Sequence, residues 1–224
     1  MTEHRIRSFV RREGRLTRGQ QRALDTLWER YGVESPPGML EPDALFGRQA
    51  LHILEIGFGN GESLVAMAQA QPEADYLGIE VHRPGVGRLL MLADSLGLSN
   101  LRVLCMDAVE VLERHLSDAC LDRIQIFFPD PWPRQRHHKR RLIQPAFVAL
   151  VARKLKPGAC LHLATDWEHY AWHMLTVLEA AGDFVNAAGS GSFALRPPYR
   201  PLTKFEQRSQ RLNHTVWELI FNRR

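Results

Sequence analysis

The chain has 224 residues, 45% hydrophobic and 24% charged, with a formal net charge of +4. That balance fits one globular domain able to bury a sizeable core, and it excludes a disordered, fibrous or disulfide-stapled protein. Three cysteines (Cys105, Cys120 and Cys160) lie far apart with no C-x-x-C pair, so no metal site or disulfide framework is expected. The N-terminus is arginine-rich without an apolar h-region. The longest uninterrupted apolar run, 146–152, is too short to span a bilayer. The expectation is a cytoplasmic protein with no membrane contact.

In chain order, the first 22 residues carry seven arginines against two acids. Residues 1–17 are therefore expected to be a basic, flexible arm, either a solvated tail or an arm that reaches nucleic acid. A single domain is expected over 18–224. Leu24, Leu27, Trp28 and Tyr31 share one helical face, which predicts a helix over 18–31 that stops at Gly32. Ser35-Pro36-Pro37-Gly38 reads as a loop. From Ala50 the chain alternates. Strand-length apolar runs at 51–56, 76–79, 101–105, 124–128 and 160–164 are separated by helical patterns near 62–70, 84–96, 109–116 and 144–155. This is the pattern of a parallel sheet with helices on both faces. A helix over 168–180 follows, then strand candidates at 184–187 and 215–222, the last suited to close the sheet as an antiparallel partner.

Open α/β sheets bind ligands outside the carboxyl ends of their strands. There the sequence places Glu55-Ile56-Gly57-Phe58-Gly59-Asn60-Gly61, Gly78-Ile79-Glu80, Cys105-Met106-Asp107 and Phe127-Phe128-Pro129-Asp130-Pro131-Trp132. Glycines let the backbone approach a ligand. An acid after the second strand can accept both ribose hydroxyls, and one after the third can accept the adenine amino group. Each acid alone has a blander use: Asp107 with Glu110 makes a helix capping box, and Glu80 suits an ordinary surface. Acids at four successive strand ends instead favour a ligand carrying an ammonium and a sulfonium, S-adenosylmethionine. A pyrophosphate would be repelled, and Glu62 stands where a dinucleotide fingerprint needs its third glycine, so a nicotinamide oxidoreductase is the weakest reading.

Beyond Asp130 the charge is of one sign. From Pro131 to Thr165 there are eight Lys or Arg residues and no acid, which points to a polyanionic substrate. Further along stand Thr165-Asp166-Trp167-Glu168 and Thr203-Lys204-Phe205-Glu206. Their carboxylates can accept from guanine donors, and Phe205 or Trp132 offers a ring for an extruded base. The competing uses are a helix cap for Asp166 and ordinary packing for the rings.

Taken together with Arg136-His137-His138-Lys139-Arg140-Arg141, these elements resemble the bacterial tRNA (guanine-N7)-methyltransferases from about Leu51 to the C-terminus. The resemblance implies a Rossmann-like class I methyltransferase fold, with a mostly parallel seven-stranded sheet and an antiparallel last strand. It implies S-adenosylmethionine as cofactor, tRNA as partner with no obligate protein partner, and methylation of the variable-loop guanine, conventionally position 46. Cofactor contacts fall to Glu55, Gly57, Gly59, Glu80, Asp107 and Asp130, with Asp130 also the catalytic residue. Guanine contacts fall to Arg134, Asp166, Thr203, Lys204, Phe205 and Glu206. The tRNA backbone falls to Arg136, His137, His138, Lys139, Arg140 and Arg141. The family commonly has a lysine where this chain has Arg134, a change that keeps charge but not geometry. The alternatives are a methyltransferase of the same fold acting on another nucleic acid atom, and a non-catalytic RNA-binding relative.

Overall fold

The structure, a computed structural model, describes residue 8 and residues 14–34, 38–202, 206 and 215–224. Most of the expected arm, and Thr203, Lys204 and Phe205, lie outside the described residues. Seven strands, β1 (Leu51–Ile56), β2 (Ala74–Ile79), β3 (Leu101–Leu104), β4 (Leu121–Phe127), β5 (Leu155–Thr165), β6 (Phe184–Asn186) and β7 (Trp217–Arg223), form one sheet. Its order is β3-β2-β1-β4-β5-β7-β6. The β1–β2, β1–β4, β2–β3 and β4–β5 pairs are parallel. β7 runs antiparallel to both β5 and β6. The expected closing strand is thus antiparallel but sits inside the sheet, with the short β6 at the edge.

Among the described residues, eight α-helices flank it: α1 (Arg18–Thr26), α2 (Trp28–Tyr31), α3 (Pro42–Phe46), α4 (Glu62–Ala70), α5 (Arg83–Ser95), α6 (Ala108–Arg114), α7 (Pro145–Lys154) and α8 (Glu168–Ala180). β1 shows how the two faces fill. Leu54 and Ile56 pack with Val109, Val151 and Met174 from α6, α7 and α8. Ile53 points the other way, toward Leu64 of α4, Leu89 of α5 and Ala23 of α1. Continuous apolar runs buried on both faces are what a parallel sheet demands.

The expected helix over 18–31 is broken at Leu27 into α1 and α2. α1 is capped by Thr17 and Gln20 acting reciprocally and lies on α5. The short α3, opened by Pro42, carries too few residues for its period to show in sequence. β5 begins at Leu155, directly after α7 and five residues before its expected start, and a register irregularity against β4 absorbs the extra length. Among the described residues no helix is long and apolar enough to cross a membrane.

Candidate active site

The chain runs outward from β1 to β2 and β3, then returns to β4 on the other side of β1. The crevice lies where that order reverses, at the carboxyl ends of β1 and β4. Backbone hydrogen bonds continue past the strands and align their exits: Gly57 N donates to Ile79 O at 2.8 Å, Glu80 N to Leu104 O at 3.1 Å, and Phe128 N to Ala164 O at 2.8 Å. A cavity of about 530 Å³ opens there, within the usual range of small-molecule sites. Its floor includes Ile56, Ile79, Met106 and Ile126, and its walls carry Gly57, Glu80, Asp107 and Asp130.

Each wall residue has a local cause. Gly57 and Gly59 take φ of 76° and 57°, and a Cβ on either would project into open space, so their backbone forms a bare cradle. Glu80 is held by three backbone donors: Gly59 N at 2.9 Å, Val81 N at 2.7 Å and His82 N at 2.9 Å. It therefore ties the glycine loop to the end of β2. Asp107 is the N-cap of α6, accepting from Val109 N at 2.9 Å, and it also lines the cavity. Asp130 is exposed between two prolines. On either side, Phe128 and Trp132 have φ of 53° and 46°, rare for side chains of that bulk. Such strained backbone gathers at functional sites.

Glu55 stands apart from this wall. It is buried at 3% exposure near the end of β1, accepting from Gln125 Nε2 of β4 at 3.1 Å. Burial pushes its carboxyl up to about 8, against the opposing pull of Gln125, with Glu80 adding to the rise. Glu55 thus holds its proton through most of the neutral range. Gly59 also lies outside the cavity lining and contributes through its bond to Glu80.

The basic segment forms a 3-10 turn, Gln135–Arg140, directly after the Asp130 loop. Arg134, Arg136 and Lys139 are exposed; His137, His138 and Arg140 are half-buried. Arg140 lies over the Trp132 ring at 4.8 Å and His137 sits 5.8 Å from it. Trp132 Nε1 donates to Ser8 O at 3.0 Å. Trp132 is thus engaged by Arg140 over its ring and by Ser8 at its edge, which favours packing over base stacking for it. Arg141 does not share the exposure of its neighbours. At 2% exposed, it donates from Nε to Pro131 O at 2.9 Å, stands 3.1 Å from His169 Nδ1 and lies over Tyr170. It braces the Asp130 loop from behind. Asp166 is half-buried at the end of β5, and the helix-cap use does not apply because Trp167 occupies the N-cap position of α8.

Glu206 is also turned inward, 1% exposed and paired with Arg200 through both oxygens, at 2.7 and 2.5 Å. Arg200, which motif reading passed over, bonds Glu218 as well. His162 lies between Glu218 Oε2 at 2.7 Å and the Tyr199 hydroxyl at 2.9 Å. The sequence signal for this network was polar residues inside apolar strands, His162 between Leu161 and Leu163, and Glu218 between Trp217 and Leu219. A second missed residue is Gly85, whose sign was a Gly-Val-Gly run inside a helix. A Cβ on Gly85 would overlap the Gly59 carbonyl oxygen, so α5 reaches the glycine loop only because that side chain is absent.

Residues 49–219 match a family described as putative methyltransferases. A tRNA (guanine-N(7)-)-methyltransferase of Alcanivorax borkumensis is 59% identical over 220 residues, spanning 98% of this chain and 92% of its own. That of Halorhodospira halophila is 58% identical, spanning 97% and 95%. Among solved structures, the 16S rRNA methyltransferase KamB superposes with a TM-score of 0.60 at 15% identity, covering 87% of this chain and 98% of its own. A SAM-dependent methyltransferase from Aquifex aeolicus gives 0.53 at 16% identity, covering 91% and 97%. At such identity these two structures speak to the fold alone.

Proposed function

The chain belongs to the tRNA (guanine-N7)-methyltransferase family, an S-adenosylmethionine-dependent enzyme that methylates N7 of a guanine in tRNA, and we propose that this guanine lies in the variable loop and that the residues below share the work. The observation that carries this division is one cavity with two kinds of charge beside it. Carboxylates of Glu80, Asp107 and Asp130 face inward, and Pro133 and Leu142 of its wall bracket an exposed basic turn. The acids suit a cationic cofactor and the turn suits a polyanion.

The bare Gly57–Gly59 backbone, the apolar floor and the volume fit S-adenosylmethionine. Glu80 would hold the ribose and Asp107 the adenine, and Glu55 would support the glycine loop from below. When bound, the cofactor supplies an electrophilic sulfonium methyl. Guanine N7 carries a lone pair and no proton at neutral pH, so no residue need act as base. Transfer of that methyl to N7 would release the sulfur as a neutral thioether and leave the positive charge on the purine. Asp130, held in a rigid turn, supplies a fixed negative field for that charge. Guanine contacts are proposed for Arg134, Asp166, Thr203, Lys204 and Phe205. Glu206 is proposed to act through its pair with Arg200. Residues 18–224 are proposed as the catalytic domain, with 1–17 as a basic arm toward tRNA, in the cytoplasm.

Phosphate contacts are proposed for Arg136, His137, His138, Lys139 and Arg140, while Arg141 serves the loop. Replacing Arg136, Lys139 and Arg140 with Gln should weaken tRNA binding and lower the slope of log affinity against log salt by about two to three units. Fluorescence titration of tRNA across a salt series reads this out. An unchanged slope would make the turn a structural lead-in to α7.

A further inference from the structure

We propose that Arg200 is a positioning residue for methyl transfer, holding the turn that presents Asp130 through the rings of Phe127 and Phe128, a proposal that rests on the Asp130 reading above. Phe127, Ala164 and Glu218 stand in register on three adjacent strands. In-register neighbours in a sheet share a face. The small Ala164 leaves room between a ring on β4 and a carboxylate on β7. The Arg200 guanidinium lies over this row, 5.4 Å from the Phe127 ring and 5.8 Å from the Phe128 ring. It donates to Glu218 from Nε at 2.9 Å, and to both oxygens of Glu206.

Four features separate this arrangement from an ordinary buried ion pair. Arg200 has no exposed surface. Its planar fork meets two carboxylates at once, a geometry an ammonium cannot reproduce. The carboxylates come from β7 and from Glu206, so one side chain joins two parts of the chain that are separate in sequence. The rings it covers end at Phe128, whose φ of 53° launches the Pro129-Asp130-Pro131 turn. A strained residue keeps its conformation only when its surroundings over-determine it. Arg200 and the Phe128 N–H to Ala164 bond provide that restraint. Glu218 is itself held by His162, which is backed by Tyr199, so the platform under the guanidinium is rigid.

Lys154 supplies the comparison. It is equally buried, at 1% exposure, and its Nζ reaches Leu116 O and Asp118 at 2.6 Å each, at the opposite end of the sheet. It carries a buried charge but positions nothing at the site. Steady-state methylation of bulk tRNA, with melting curves on the same preparations, is measured for the wild type, Arg200→Lys, Glu218→Gln and Lys154→Met. Misplacement of a reacting group by about 1 Å costs roughly 100-fold. Arg200→Lys and Glu218→Gln should lower kcat by about that factor at a temperature where they are folded, with KM for S-adenosylmethionine within about threefold. Lys154→Met should lower the melting temperature and leave kcat within about twofold. Glu218→Gln keeps the test open if Arg200→Lys does not fold. Wild-type kcat per folded molecule in the Arg200 and Glu218 variants would overturn the proposal. So would losses that merely follow melting temperature, as with Lys154→Met. A wild type that transfers no methyl to tRNA would overturn the functional reading itself, a distinguishable result.

Discussion

Asp130→Asn slows methyl transfer roughly 100-fold in a single turnover, equivalent to about 2.7 kcal/mol of barrier, while S-adenosylmethionine affinity stays within about threefold. The substitution keeps the shape of the side chain and its place between Pro129 and Pro131, so positioning is little changed. What it removes is the negative charge. The purine gains a full positive charge in the reaction, and a fixed carboxylate beside it lowers the barrier because no solvent need reorganise at that moment. Glu80 and Asp107, the proposed cofactor contacts, remain in the wall. Rapid-quench measurement with enzyme in excess, paired with calorimetric titration of S-adenosylmethionine, separates the two quantities. Full single-turnover activity in the variant would remove Asp130 from the electrostatic role. A loss confined to cofactor affinity would make it a binding residue only.

Gly85→Ala weakens S-adenosylmethionine binding by about 10- to 100-fold, or roughly 1.4–2.8 kcal/mol. The added methyl overlaps the Gly59 carbonyl oxygen, a backbone atom that no rotamer change can move aside. Overpacking of this kind costs about 1–3 kcal/mol. The relief available is displacement of Gly59, which pulls its N–H away from Glu80 and loosens the loop and that carboxylate, the proposed ribose contact, together. Gly87 provides the contrast. Two residues along a helix is about 200° of rotation, the opposite face, and there a Cβ would meet Gln20 O of α1 at 2.8 Å. Gly87→Ala should therefore lower the melting temperature by disturbing α1 while leaving cofactor affinity near wild type. Calorimetry on both variants decides it; equal cofactor affinities for Gly85→Ala and wild type would show that the loop does not need α5 so close.

The sheet was legible because parallel strands buried on both faces are written as continuous apolar runs, and the residues following each run mark one edge of the sheet. Glu80, Asp107 and Asp130 reached the cavity wall for that reason. Arg141 and Glu206 were harder because their neighbours settle their direction. Arg141 follows five residues that are exposed or half-buried, yet it turns inward to Pro131 and Tyr170. Glu206 belongs to a motif that suggests contact with a base, yet Arg200 takes both of its oxygens. Glu55 shows a third kind of limit. Its place at the end of β1 was plain, but a side chain on a central strand points to one face or the other, and this one turns into the buried interior toward Gln125. The break at Leu27 falls inside one continuous apolar face, Leu24, Leu27, Trp28 and Tyr31, so the period runs across it unmarked, and the 3-10 turn at Gln135–Arg140 has no hydrophobic period to read.

The most direct test of the account is nucleoside analysis after incubating the purified protein with unmodified tRNA transcripts and methyl-labelled S-adenosylmethionine. The expected product is 7-methylguanosine carrying the label, lost when the variable-loop guanine is replaced by adenine. Label in another methylated nucleoside, or 7-methylguanosine that survives that replacement, would contradict it.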